Sequence, residues 1–168
     1  MACIHTSNKA SVNKLRTAMY NFDETDTRKV LSSLFIPDAI IHMPWPLGDM
    51  TGPDQLYETC YKPLLASVPD LERRDWIVVG GLTKADDEWV GCGGHYTGTF
   101  IAPWLDIPPT GHLMHMRFHE FYKFQKGKVV EVQAIWDIPE VMMQANSWPR
   151  APSLGREYHI PGPATLDG

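Results

Sequence analysis

Cysteine is scarce in this 168-residue chain, with only Cys3, Cys60 and Cys92 present. The odd count, the wide spacing and the absence of any metal-spaced pair argue against a disulfide framework and for reduced thiols in a cytoplasmic setting. Long apolar runs are also missing. Nowhere do eighteen apolar residues follow one another, and the opening MACIHTSNKASVNKLR has no apolar core of signal-peptide length, so neither a spanning helix nor a secretory leader is expected. Positive charge is in deficit, with 15 Lys and Arg against 20 Asp and Glu and a formal net charge of −5. Without a dense basic run, nucleic acid and anionic membrane surfaces are not expected partners. No internal repeat is present.

What the chain does have is a globular balance: 43% hydrophobic and 21% charged residues, with six each of Trp, Tyr and Phe. Its length fits one domain with a single core. Val12, Leu15, Met19 and Phe22 recur at helical spacing, as do Val30, Leu31, Leu34 and Phe35 after the cap-forming stretch Asp23 to Thr27. Ala39 to Met43 reads as a short strand stopped by Pro44 and Pro46. Gly52-Pro53 then opens a third helix, which Pro63 should kink or split. From Arg73 onward the pattern is of strands: Asp75 to Leu82, Glu88 to Ile101, and a closing hairpin after the Pro-rich loop Pro103 to Gly111. Helices followed by a meandering sheet predict an α+β fold. Residues 1–147 are read as the domain and 148–168, rich in Pro and Gly, as an extended arm or linker.

The hairpin MHMRFHEFYKFQKGKVVEVQAIWDIPEVMMQ, from Met114 to Gln144, carries the functional signal. A two-residue type I′ turn at Lys126-Gly127 would force Lys126 to positive φ, so a three-residue loop with Gly127 as a bulge is the easier closure. That register gathers Met116, Phe118, Tyr122, Phe124, Val130, Val132, Ala134 and Trp136 on one apolar face, with Glu120 as its only charge. Asp137 then falls with the polar side, and pointing it into the core requires a further irregularity near Ala134 to Trp136. In the two-residue register Glu120 lies opposite Gln133 and shares a face with Asp137, about 13 Å beyond Gln133 at roughly 3.3 Å per residue. Asp137 also suits a helix N-cap, with Pro139 and Glu140 following.

Together KVVEVQAIWD (Lys128 to Asp137), FYKFQKG before it, GHYTGTF at Gly94 to Phe100, DIPPTGH at Asp106 to His112 and VPDLERR at Val68 to Arg74 resemble the SnoaL-like polyketide cyclase or ester cyclase family. The resemblance runs from about Leu15 to Gln144. It implies a nuclear transport factor 2-like cone, a curved sheet wrapped around helices with an apolar pocket inside. It also implies a general acid/base aspartate at the end of the last strand, here Asp137. Family members often carry a histidine or acid at the place of Glu120 and an aromatic at that of Gln133. The tail WPRAPSLGREYHIPGPAT also resembles variants that carry two such domains in tandem, so Gly168 could close a first half, and a homodimer could serve the same role.

The expectation is therefore a cofactor-independent lyase, isomerase or cyclase that removes a proton next to a carbonyl of a hydrophobic small molecule. Asp137 is the expected base, with Glu120, His42 or His95 as its polar partner. Whether Glu120 or His119 faces the pocket, and which of His95 and Tyr96 does, is left open. Tyr20, Trp45, Trp104, Met116, Phe118, Tyr122, Gln133 and Ile135 are the expected substrate contacts. The rivals are a hydrolase or hydratase with Asp-activated water, and a non-catalytic binding or dimerising module. No metal is expected, because His115 and His119 on one strand face stand about 13 Å apart by strand rise.

Overall fold

Apolar positions three and four apart put one buried stripe on each of the first two helices, and that stripe is what the sheet covers. The computed structural model describes residues 4–20 and 22–148. Helix α1 (Ile4–Tyr20) buries Val12, Leu15 and Met19 against strands that come much later in the chain. Helix α2 (Glu24–Leu34) begins at Asp23, whose side chain accepts the Asp26 N–H at 2.8 Å, as its place in the cap-forming stretch predicts.

Strand β1 (Phe35–His42) follows α2 directly. It starts four residues earlier than the periodicity suggests, because Phe35 ends the helical pattern yet is already extended. A short strand not anticipated from the sequence, β2 (Asp49–Thr51), pairs with it. The third helix is split, as Pro63 requires. Helix α3 (Gly52–Leu56) runs into a π-helical turn over Tyr57–Tyr61, and α4 (Lys62–Ser67) carries on with Pro63 in its first turn, where its missing N–H is tolerated.

Four long strands then form the meander: β3 (Glu72–Leu82), β4 (Glu88–Thr99), β5 (Leu113–Gln125) and β6 (Lys128–Trp136). The six strands lie in the order β2-β1-β6-β5-β4-β3, antiparallel except where β1 runs parallel to β6. Helix α5 (Ile138–Gln144) closes the described chain. The arm expected over 148–168 lies, apart from Trp148, outside the described residues. Among those residues, no helix is long and apolar enough to cross a membrane.

The hairpin combines the two closures weighed above. Its turn is the two-residue one, with Lys126 at φ +50° and Gly127 at +75°, so lysine does take the left-handed conformation. The extra residue sits at Val130, where the ladder slips between Lys123 and Phe124. From there on the pairing is Tyr122 with Val132, Glu120 with Ala134 and Phe118 with Trp136. The bulge thus restores the face expected of the three-residue loop, with Val129 buried in place of Val130. No second irregularity follows, so Asp137 does not turn into the core.

Strand β5 extends past the end of β6, which would leave its backbone unpaired. Helix α5 supplies the partners. Glu140 Oε2 accepts the Arg117 N–H at 3.0 Å, and Gln144 accepts the His115 N–H at 2.9 Å while donating to its carbonyl at 2.6 Å. The Asp137 N–H donates to the Arg117 carbonyl at 2.8 Å.

Candidate functional site

Alternation along β3, β4 and β5 sends Arg73, Asp75, Tyr96, Phe118, Glu120 and Tyr122 to the inner face of the sheet. There they form one buried polar network. Glu120 is 2% exposed and takes four donors: Arg73 Nη1 at 2.7 Å, Tyr122 Oη at 2.5 Å, Trp136 Nε1 at 2.9 Å and Tyr96 Oη at 3.1 Å. The Arg73 Nε donates to Asp75 at 2.9 Å, and the guanidinium carbon lies 4.5 Å from the centre of the Phe118 ring. Burial by itself would lower the Arg73 pKa, but Glu120, Tyr122, Tyr96 and Asp75 outweigh it and hold the group well above its ordinary value. Burial pushes the Tyr96 and Tyr122 phenols well up, against the pull of Arg73. The Cys60 and Cys92 thiols are likewise pushed up to about 12 by burial.

A carboxylate offers about four acceptor positions, and those of Glu120 are all occupied. The network is therefore built to hold a charge pair inside the cone and leaves no free acceptor for a substrate proton.

Asp137 lies elsewhere. It caps α5, its Oδ1 accepting the Glu140 N–H at 3.1 Å, and it is half-buried. It lines a cleft of about 550 Å³ together with Pro44, Trp45, Arg117, His119, Ile135, Trp136 and Pro139. That volume is in the usual range for small-molecule sites. The Asp137 Oδ2 has no hydrogen-bond partner among the described residues, and neither does the Arg117 guanidinium. Trp45 is 87% exposed and forms an apolar wall. Trp136 joins the two regions, since it borders the cleft while its indole N–H binds Glu120 inside the cone.

The expected site residues therefore divide into three groups. Glu120, Tyr122, Phe118 and Met116 are gathered inside the cone. Asp137, Trp45 and Ile135 are gathered in the cleft. The others stand apart from both. His42 pairs with Asp49 at 2.9 Å, Gln133 is exposed and donates to Glu131 at 2.8 Å, and Tyr20 is exposed on α1. Trp104 is buried in the Pro-rich loop with its indole N–H unpartnered. His95 faces outward against Trp76, ring centres 4.2 Å apart, and burial lowers its pKa; Tyr96 is the inward member of that pair.

Arg73, Asp75 and Tyr61 in the interior, and Arg117 in the cleft, had no expected role. The one available signal was ERRD at Glu72 to Asp75, where residues two apart share a strand face.

The family model described as SnoaL-like polyketide cyclase matches residues 13–145. No curated protein matches the sequence. Among solved structures, the chain is similar to a SnoaL-like polyketide cyclase candidate from Jannaschia sp. CCS1, with a TM-score of 0.71, 23% identity, and 89% of this chain and 97% of that one covered. It is also similar to AclR, a candidate hydroxylase from Streptomyces galilaeus, with a TM-score of 0.70, 18% identity, and coverage of 88% and 90%. IdmH, a candidate polyketide cyclase from Streptomyces antibioticus, gives a TM-score of 0.68, 20% identity, and coverage of 83% and 98%. These likenesses establish the nuclear transport factor 2-like cone.

Proposed function

The chain belongs to the SnoaL-like polyketide cyclase family, and from that premise we propose that it is a cofactor-independent cyclase or isomerase, working as a homodimer, with Asp137 as its acid/base group. The observation that carries this reading is the cleft, where a carboxylate fixed through one oxygen by a helix cap leaves its other oxygen toward a space walled by aromatic, aliphatic and cationic groups.

The substrate class that fits is a hydrophobic carbonyl compound lying against Trp45, Ile135 and Trp136. Filling the cleft displaces water from Asp137, and loss of water makes a carboxylate a better base because its charged form is disfavoured. Asp137 removes a proton from the carbon next to the carbonyl. The negative charge moves to the carbonyl oxygen, where Arg117 or His119 donates a hydrogen bond. For ring closure, that carbon attacks a second carbonyl carbon, and the resulting alkoxide takes the proton back from Asp137. For isomerisation, the proton returns to a different carbon. Neither route consumes a co-reactant.

Incubation with aromatic polyketides, steroids and terpenoids in deuterium oxide tests the proposal. For isomerisation the expected result is deuterium on the carbon that receives the proton, and for ring closure loss of one hydrogen from the carbon next to the carbonyl as it forms the new carbon–carbon bond, in both cases with no solvent oxygen in the product. The cleft is open to water, which favours a hydrolase or hydratase with Asp137-activated water as the second reading. Oxygen-18 from solvent in the product would select it and reject the first.

A further inference from the structure

Three arginines stand on the strands of the sheet, and two of them are matched by carboxylates. Arg73 pairs with Glu120 at 2.7 Å and Asp75 at 2.9 Å, and Arg74 with Glu72 at 2.7 Å. Arg117 has no such mate among the described residues, and it is the one that lines the cleft.

Its neighbours do not supply a counter-charge. Across the ladder Arg117 lies beside His95, and the next residues on its own strand face are His115 and His119. Two acids stand near, Asp137 and Glu140, and each is turned to a backbone donor. Asp137 Oδ1 accepts the Glu140 N–H at 3.1 Å, and Glu140 Oε2 accepts the backbone N–H of Arg117 itself at 3.0 Å. Neither carboxylate reaches ion-pair distance of the guanidinium. The backbone beneath this charge is nonetheless fixed on both sides, because the Arg117 carbonyl also accepts the Asp137 N–H at 2.8 Å. The joint between β5 and α5 thus sets a carboxylate and a guanidinium on the wall of one cleft.

We infer that the Arg117 guanidinium is the seat of a carboxylate on the substrate, so that this chain takes its hydrophobic carbonyl compound as the free acid rather than as an ester. The inference rests on the reading of the cleft as the substrate site. A guanidinium presents its N–H donors in a planar fork that matches the two oxygens of a carboxylate. Between the rings of Trp45 and Trp136 and the side chain of Ile135, such a pair is weakened less by water than on an open surface. Charge balance selects the acid. Apart from His119, the lining carries one cation, Arg117, and one anion, Asp137. A carboxylate brings one negative charge to that one cation, whereas a phosphate group would bring nearly two, facing Asp137 as well. With Arg117 engaged by the carboxylate, His119 is the donor left for the carbonyl oxygen.

Isothermal titration with 2-naphthoate and with its methyl ester tests the site without any turnover. Naphthoate should bind about tenfold more tightly than the ester, the low end for a hydrogen-bonded charge. Arg117→Gln alters an exposed side chain and keeps the backbone bonds on either side, so it should fold as wild type. It should lose the tenfold preference and keep the affinity for the ester. Trp45→Ala should weaken both ligands alike. Equal binding of acid and ester, no binding of naphthoate at millimolar concentration, a preference that survives Arg117→Gln, or naphthoate binding unchanged in Trp45→Ala would overturn the inference. Wild-type turnover by Asp137→Asn would count against the catalytic reading while leaving the titrations to judge the Arg117 site.

Discussion

Asp137 and Glu120, expected as base and polar partner, stand apart, one in the cleft and one inside the cone. Glu120 is held by four donors and Asp137 by one, so the first is an anchor and the second is the proposed reacting group. Removing one member of a buried ion pair leaves the other charge uncompensated, at a cost of about 3–5 kcal/mol. Arg73→Met and Glu120→Gln should each lose stability of that order in urea unfolding, and an unfolding midpoint close to wild type would show the network to be dispensable.

The buried phenols and thiols make a second prediction. Their pKa values are raised in the fold, so the stability they contribute is complete below their unfolded values, about 8.5 for Cys and 10 for Tyr, and is lost as pH rises toward the folded ones. Unfolding free energy should fall between about pH 9 and pH 12, where Cys60 and Cys92 also reach their folded range. At neutral pH those two thiols should resist alkylation until the chain unfolds. Glu120 was visible in the sequence as the only charge on an apolar strand face. Arg73 was not, because ERRD offers two arginines, and which one is buried depends on Tyr96, Glu120 and Tyr122 from other strands.

Among the elements, the ones set by local chemistry were legible in advance. A cap within Asp23 to Thr27, the break at Pro63 and the hairpin face all follow from near neighbours. The misjudged details depend on how strands pair rather than on local chemistry. Strand β1 begins at Phe35 because β6 offers it a parallel mate at Val129, and the hairpin bulge moves from Gly127 to Val130 because the ladder can absorb a slip there.

Gly94 shows the same dependence. A Cβ there would overlap the Arg74 carbonyl oxygen and come within 2.8 Å of the Phe118 ring. Gly94→Ala should therefore cost roughly 1–3 kcal/mol through overpacking, read from the thermal midpoint; an unshifted midpoint would contradict the close approach of β3 to β4. Glu140→Ala should loosen α5 from β5 by leaving the Arg117 N–H without its acceptor. Faster hydrogen exchange at that amide is the expected result, and unchanged protection would show that the contact carries no weight.

At the scale of the whole molecule, the helices and the inner sheet face build a charge-stitched core. The cleft lies on the other side of the same sheet. The family and the α+β cone were accessible from short motifs taken in order. The cleft was not, because it brings together the loop after β1, the outer side of β5 and the start of α5. Asp137 is the proposed reacting group, and turnover by Asp137→Asn is the measurement that tests it. Asparagine keeps a cap oxygen for the Glu140 N–H, so the variant should fold and dimerise as wild type while its turnover number falls about 10²–10⁴-fold, the usual contribution of a general acid/base group. Wild-type turnover in the folded variant would contradict the account.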